Sequence, residues 1–206
     1  MKCKLSVQLV CLTVLIACQA SAQEDINSQQ NIPALLLLES VTDLLSTPAI
    51  EDKCLSVHPQ GDFHIELRQQ LHPGDPLTRK FYEGILDSTQ RNSLKVLLEH
   101  TRIKGRPDSI LPSVPATSST IKAAKARIKY EKNSQNIGYV HWFRPSRADE
   151  DKATVISHEG ATADEIEQQN RVEQDLQPLL TWFGSLLQTK LTESKATSSI
   201  CAQISE

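Results

Sequence analysis

The pattern that most constrains the fold of this chain is a pair of alternating segments in its second half. Ala126, Ile128 and Tyr130 alternate with charged residues, which is the two-residue period of a half-buried strand. A polar turn over 132–136 follows, and residues 137–143 are rich in aromatic and β-branched side chains. This order of segments predicts a β-hairpin. The chain is therefore expected to contain an antiparallel sheet.

Other segments add to this sheet. Phe63, Ile65 and Leu67 alternate with polar residues and predict a further half-buried strand. Residues 154–156 predict a short one. The apolar run over 32–45 is either a buried strand or a buried helix, because periodicity does not distinguish the two in so short a run.

Two segments have a helical pattern. Residues 88–100 predict a short helix with one apolar side. Thr162 with Glu165 three residues later forms a capping box, which predicts the start of a second helix. Apolar residues at helical spacing then continue over 176–191, and Pro178 is expected to kink or restart the helix.

Together these segments predict a mainly β protein, an antiparallel β-sandwich with one internal helix and a C-terminal amphipathic helix. The predicted organisation is a leader over 1–22, a β domain over 23–160, a partly detached helical segment over 161–193 and a flexible tail over 194–206.

The first 22 residues have the pattern of a secretory signal peptide. Lys2 and Lys4 precede an apolar run over 5–17, and the Ala-Ser-Ala sequence over 20–22 offers a cleavage site. The run is shorter than the roughly 20 residues that a membrane helix needs. A bacterial lipoprotein signal, with Cys18 lipidated, is the alternative. We expect a protein of the secretory pathway, in the lumen of the endoplasmic reticulum (ER) or outside the cell.

Cysteine usage agrees with this compartment. Three of the five cysteines lie in the leader, which leaves Cys54 and Cys201. Two remaining thiols in an oxidising compartment most simply form a disulfide. Such a bond would close a long loop and would stabilise the fold by about 4 kcal/mol. The alternative is a free Cys201 on a frayed tail.

Composition and motifs point away from several functions. The net charge is −3 and both signs are interspersed, so no face is expected to bind nucleic acid or an anionic membrane. The sequence contains no G-x-S-x-G, H-E-x-x-H, C-x-x-C or glycine-rich phosphate loop. His58, Asp62 and His64 flank one turn, but a structural metal site needs about four ligands, so surface histidines are the preferred interpretation. We expect no enzyme, cofactor, metal or small-molecule substrate.

The C-terminal helical segment offers the clearest candidate for binding. Leu179, Trp182, Phe183 and Leu186 occupy much of the helix circumference rather than one narrow stripe. Packing on the sheet is one interpretation. The other is that these four residues bind a partner protein, since a helix that is apolar on two sides needs two neighbours.

Six segments, taken in order, carry a resemblance to one known family. They lie at 35–39 (Leu-Leu-Leu-Leu-Glu), 60–71, 90–106, 113–116 (Ser-Val-Pro-Ala), 136–138 (Asn-Ile-Gly) and 162–183. In this order they resemble subunit 10 of the ER membrane protein complex. Thr117 departs from the family, which has a cysteine there, so the usual disulfide of the family cannot form. The C-terminal membrane span of anchored members also has no counterpart here, so the secreted form of the family is more similar.

The resemblance implies a luminal β-sandwich that is not an enzyme. Such a subunit would support the insertion of membrane proteins through contacts with other luminal subunits, and would meet the membrane only indirectly. A secreted extracellular ligand or effector is the alternative, favoured by the absence of a retention signal over 203–206. A secreted hydrolase or metal protein would require histidines and acidic residues that converge in the fold.

Overall fold

A single eight-stranded antiparallel sheet organises the chain in this computed structural model. The strands are β1 (Leu35–Leu44), β2 (Ala49–Val57), β3 (Asp62–Gln70), β4 (Thr78–Ile85), β5 (Thr120–Lys129), β6 (Ser134–Pro145), β7 (Ile156–Ser157) and β8 (Thr192–Glu193). The helices are α1 (Ser88–Glu99), α2 (Thr101–Lys104) and α3 (Ala163–Leu187). The order across the sheet is β7-β6-β5-β1-β2-β3-β4-β8, so β1 lies near the centre.

The structure describes most of the chain after residue 31. The described residues are 32, 34–44, 49–70, 72, 74–112, 120–145, 156–157, 160–195 and 199–201. The predicted signal peptide over 1–22, the Ser-Val-Pro-Ala segment over 113–116 and most of the predicted strand over 154–156 lie outside these residues.

The two faces of the sheet have different partners. Alternation along β1 directs Leu36 and Leu38 to one face, here called the helical face, and Leu37 and Glu39 to the other, here called the disulfide face. The core on the helical face is formed by sheet residues and by residues of α1 and α3. These include Leu36, Leu38, Leu55, Val57, Ile65, Ala126, Ile128, Ile137 and Tyr139 from the sheet and Leu94, Leu98, Val172, Leu176, Leu179 and Phe183 from the helices.

The prediction of a mainly β protein is confirmed. β5 and β6 form the predicted hairpin, but its turn lies at 130–133, because β6 already begins at Ser134 inside the turn predicted over 132–136. The apolar run over 32–45 contains the strand β1. Leu36, Leu37 and Leu38 are all buried, which explains why this strand is apolar on both sides and lacks alternation. A sandwich is not confirmed. The described strands form one sheet, and helices supply the layer packed on its helical face.

Both predicted helices are present. α1 matches the predicted segment, with Asp87 as its N-cap. α3 begins at the capping box, in which the Glu165 N–H donates to Thr162 Oγ1 over 3.2 Å and the Thr162 N–H donates to Glu165 Oε2 over 2.8 Å. Pro178 does not interrupt α3, which runs unbroken from Ala163 to Leu187.

Two features of the predicted organisation need correction, the detachment of the helical segment and the flexibility of the tail. The helical segment over 161–193 is not detached, because α3 shares the core of the helical face with the sheet. The tail over 194–206 is not flexible at its described residues near the end. Ile200 and Cys201 are 3% and 0% exposed, and they pack on the disulfide face beside Leu37.

Candidate functional site

The centre of the disulfide face is a covalent bond between distant parts of the chain. Cys54 on β2 and Cys201 form a disulfide, with an S–S distance of 1.93 Å and 5.3 Å between their Cα atoms. Both cysteines are fully buried. The predicted pairing is therefore confirmed, and the alternative of a free Cys201 is wrong.

Three carboxylates surround this disulfide because of the sheet register. Glu39 on β1 lies directly opposite Cys54, and Glu66 on β3 lies opposite it on the other side. Asp52 precedes Cys54 by two residues on β2 and therefore shares its face. Arg68 on β3 lies opposite Asp52. We call Glu39, Asp52, Glu66 and Arg68 the carboxylate cluster.

Glu66 holds the C-terminal turn against the sheet. Its Oε2 accepts hydrogen bonds from Ser199 Oγ over 2.8 Å, from the Ile200 N–H over 2.9 Å and from the Cys201 N–H over 3.1 Å. Glu66 is fully buried, so water does not compete for these hydrogen bonds. Residues 199–201 are therefore attached both by the disulfide and by this carboxylate.

Arg68 joins two members of the cluster. Its Nη2 lies 2.5 Å from Asp52 Oδ2, and its Nε lies 3.7 Å from Glu66 Oε1. The other oxygen of Asp52, Oδ1, is directed towards the disulfide and lies 3.4 Å from Cys54 Sγ and 3.9 Å from Cys201 Sγ. The cluster thus places three carboxylates around one guanidinium.

Burial and mutual repulsion favour the protonated forms of two carboxyls. Burial raises the pKa of Glu39, and the nearby charge of Asp52 raises it further, while Lys125 and Arg68 partly offset this. Burial also raises the pKa of Asp52. Arg68 opposes that effect, and Glu66 adds to it.

We expect Glu39→Gln to increase the free energy of unfolding at neutral pH. The pKa of Glu39 is higher in the folded protein than in the unfolded chain, so ionisation costs stability as pH rises through the folded value. The advantage of the variant should therefore shrink as the pH falls towards 4.5, the ordinary value of this carboxyl. Urea denaturation at several pH values measures it. Glu131→Gln, in an exposed turn, is the control, and an equal effect in both variants would contradict the prediction.

The four residues predicted to bind a partner lie elsewhere. Leu179, Phe183 and Leu186 are 1–3% exposed in the core of the helical face, and Trp182 packs partly buried against it. The burial of Leu179, Phe183 and Leu186 agrees with the alternative of packing on the sheet. Partner binding at Trp182 stays a prediction. The two neighbours that this helix needs are the sheet and α1, which packs beside α3.

The turn histidines do not converge. His58 is exposed, as is Asp62, while His64 Nδ1 lies 3.3 Å from Glu83 Oε1 across the β3–β4 pair. Within the described part of the chain, one group of side chains has ligand atoms close enough to hold a metal ion, and it is formed by Asp52, Cys54 and Cys201.

Sequence reasoning missed a second buried polar group, on the helical face. His141 on β6 is 3% exposed, and its Nε2 lies 3.1 Å from Glu173 Oε2 on α3. Lys122 on β5 contacts the other oxygen of Glu173. Burial raises the pKa of Tyr139, whose ring lies beside His141, to about 12, and Glu173 adds to this effect. These contacts attach α3 to the sheet. No local sequence pattern predicts them, because His141 and Glu173 lie on different elements.

The surface has two grooves, one at the end of β4 and one between α2 and α3. A groove of about 350 Å³ lies between the end of β4, the end of α3 and β8, with Glu83, Ile85 and Leu191 among its lining residues. A second, of about 500 Å³, lies between α2 and α3 and is lined by Arg102, Arg106, Arg171 and Asp175, among others. Asp175 forms an ion pair with Arg106 and thereby neutralises part of the positive charge.

Comparison of the chain with models of protein families, with curated proteins and with solved structures finds no match. Among the described residues, no helix is both long enough and apolar enough to cross a membrane.

Proposed function

We propose that this protein is a non-catalytic protein of the secretory pathway that acts by binding other proteins. In this proposal it is a luminal component similar to subunit 10 of the ER membrane protein complex, and it supports the insertion of membrane proteins. The observation that carries the proposal is the buried disulfide between Cys54 and Cys201.

The disulfide supports the compartment. Disulfides form and persist in oxidising environments and are rare in the cytosol. This bond joins residues 147 positions apart and lies against a buried carboxylate that also holds the C-terminal turn. The signal-like leader over 1–22 agrees with the same compartment.

The outer edge of β4 is the surface that we propose for contact. β8 pairs with β4 at Tyr82 and Glu83, and within the described residues no other strand lies along this edge. Ile85 at one end of β4 is 75% exposed, and Leu77 just before the other end is 40% exposed. β8 and the Ser194 N–H cover the middle of this edge, at Phe81 to Glu83. The uncovered ends, with their exposed apolar residues, can accept a strand of a partner protein.

Expression of the tagged chain in eukaryotic cells tests the proposal. We expect the protein to remain in the cell lysate and to co-purify with luminal subunits of the ER membrane protein complex. Ile85→Asp should reduce this recovery at least fivefold while leaving the fold intact, because Ile85 is largely exposed and its loss removes little burial.

Val96→Asp is the matched control, since Val96 is 66% exposed on α1, outside the proposed edge. Equal loss of recovery in both variants would contradict a contact at β4. Accumulation of the tagged protein in the medium, with no subunit of the complex bound, would overturn the proposal and favour a secreted ligand or effector.

A further inference from the structure

The side chains around the disulfide have the composition of a metal site. Asp52, Cys54 and Cys201 each offer one ligand atom, and these three atoms lie within 4.8 Å of one another. All three residues are buried. Thiolate sulfur and carboxylate oxygen are both established ligands of Zn²⁺, and thiolates in particular select thiophilic metals.

The carboxylate in this group is already oriented. Arg68 Nη2 holds Asp52 Oδ2 at 2.5 Å, which leaves Oδ1 directed towards both sulfur atoms. A charged group that binds the outer oxygen of a ligating carboxylate fixes its direction, as outer partners do in metal sites.

Cys201 has a second attachment besides its disulfide. Its backbone N–H and that of Ile200 donate to Glu66 Oε2, and these hydrogen bonds do not depend on the sulfur atoms. Reduction of the disulfide therefore leaves a contact that keeps the Cys201 thiol near Cys54 and Asp52.

The charge of the cluster favours a cation once the disulfide is open. Glu39, Asp52 and Glu66 place carboxyl oxygens around the two sulfur atoms, and Arg68 is already paired with Asp52. Two thiolates would add two further negative charges in a buried place, which is costly without compensation. A divalent cation supplies that compensation, and the buried Oε1 of Glu66, which has no hydrogen-bond partner, is a further acceptor in the cluster.

We propose that the reduced protein binds a thiophilic divalent cation of the zinc type through Cys54, Cys201 and Asp52. A dithiol reductant transfers two electrons and two protons to the disulfide, which becomes two thiols while the reductant becomes a disulfide. The cation then displaces the two thiol protons to solvent and binds both sulfur atoms. Metal binding and the disulfide are mutually exclusive, and water completes the coordination.

Titration with Zn²⁺ and with Co²⁺ tests the proposal on two samples of the purified full chain. One sample is oxidised, and the other has been reduced by a phosphine that was then removed. We expect the reduced protein to bind one equivalent with a thiolate-to-cobalt absorption band, and the oxidised protein to show neither. Bound Zn²⁺ should also raise the melting temperature of the reduced chain. These measurements do not involve partners, so their failure is independent of the proposed function.

Variants distinguish metal binding at this folded site from metal binding by the thiols of an unfolded chain. Asp52→Asn should weaken the affinity of the reduced protein for Zn²⁺ at least tenfold, whereas Asp62→Asn, an exposed change on β3, should leave it unchanged. Cys54→Ser removes one of the two sulfur ligands, so the thiolate-to-cobalt band of the complex with two sulfur ligands should be lost. Equal affinity in Asp52→Asn and the unaltered chain would overturn the proposal, because thiols of an unfolded chain bind zinc without that carboxylate.

Discussion

Removing the disulfide with the double variant Cys54→Ala/Cys201→Ala should lower the free energy of unfolding by about 4–5 kcal/mol. The bond joins residues 147 positions apart, so without it the unfolded chain gains a large amount of conformational freedom. After loss of the covalent bond, hydrogen bonds to Glu66 and the packing of Ile200 still hold the C-terminal turn, but no covalent link does. Urea denaturation of the oxidised protein and of the variant gives the difference.

Reduction of the unaltered protein provides the matched control. It should lower the unfolding midpoint towards that of the double variant, while the same treatment of the variant should change nothing. Mass spectrometry that finds both thiols free in the protein isolated from an oxidising compartment would contradict the structural role of this bond. So would a stability difference below about 1 kcal/mol, well short of the usual range for a native disulfide.

Phe183→Ala should lower the free energy of unfolding by about 3–5 kcal/mol. Phe183 is 2% exposed in the core of the helical face, so the shorter side chain leaves a cavity between α3 and the sheet. Trp182→Ala should cost less, because Trp182 packs against the same core but is only partly buried. Chemical denaturation monitored by circular dichroism measures both changes.

Val96→Ala is the control for this series. Val96 lies on α1 and is 66% exposed, so its truncation should change stability by no more than about 0.5 kcal/mol. If Phe183→Ala left stability unchanged and abolished the binding of a partner, the interpretation of this residue as part of the core would be wrong.

The sequence predicted the elements that have a strong local pattern. The hairpin of β5 and β6 was predictable because alternation is conspicuous on both sides of a polar turn. The start of α3 was predictable from Thr162 and Glu165, since a capping box is a purely local arrangement. β2 and β4 were missed. Their alternation is weak, with Asp52 buried on the disulfide face and Arg79 and Lys80 exposed, so tertiary pairing decided these strands.

The candidate site was predictable only in part. The pairing of Cys54 with Cys201 followed from counting cysteines outside the predicted signal peptide. The positions of Glu39, Asp52 and Glu66 around that bond did not follow from anything local, because each comes from a different strand. Their approach depends on the register of β1, β2 and β3, and a shift of one residue would turn them to the other face.

The β class and the two main helices follow from periodicity and caps, which are local properties of the chain. The disulfide is the simplest pairing of the two cysteines outside residues 1–22. The assembled fold was needed to show that α3 covers one face of the sheet and that a buried carboxylate cluster lies on the other. The physical reason is that burial depends on which strands become neighbours. An apolar side chain such as Phe183 gains the same free energy from any apolar neighbour, and only the assembled fold selects the sheet rather than a partner.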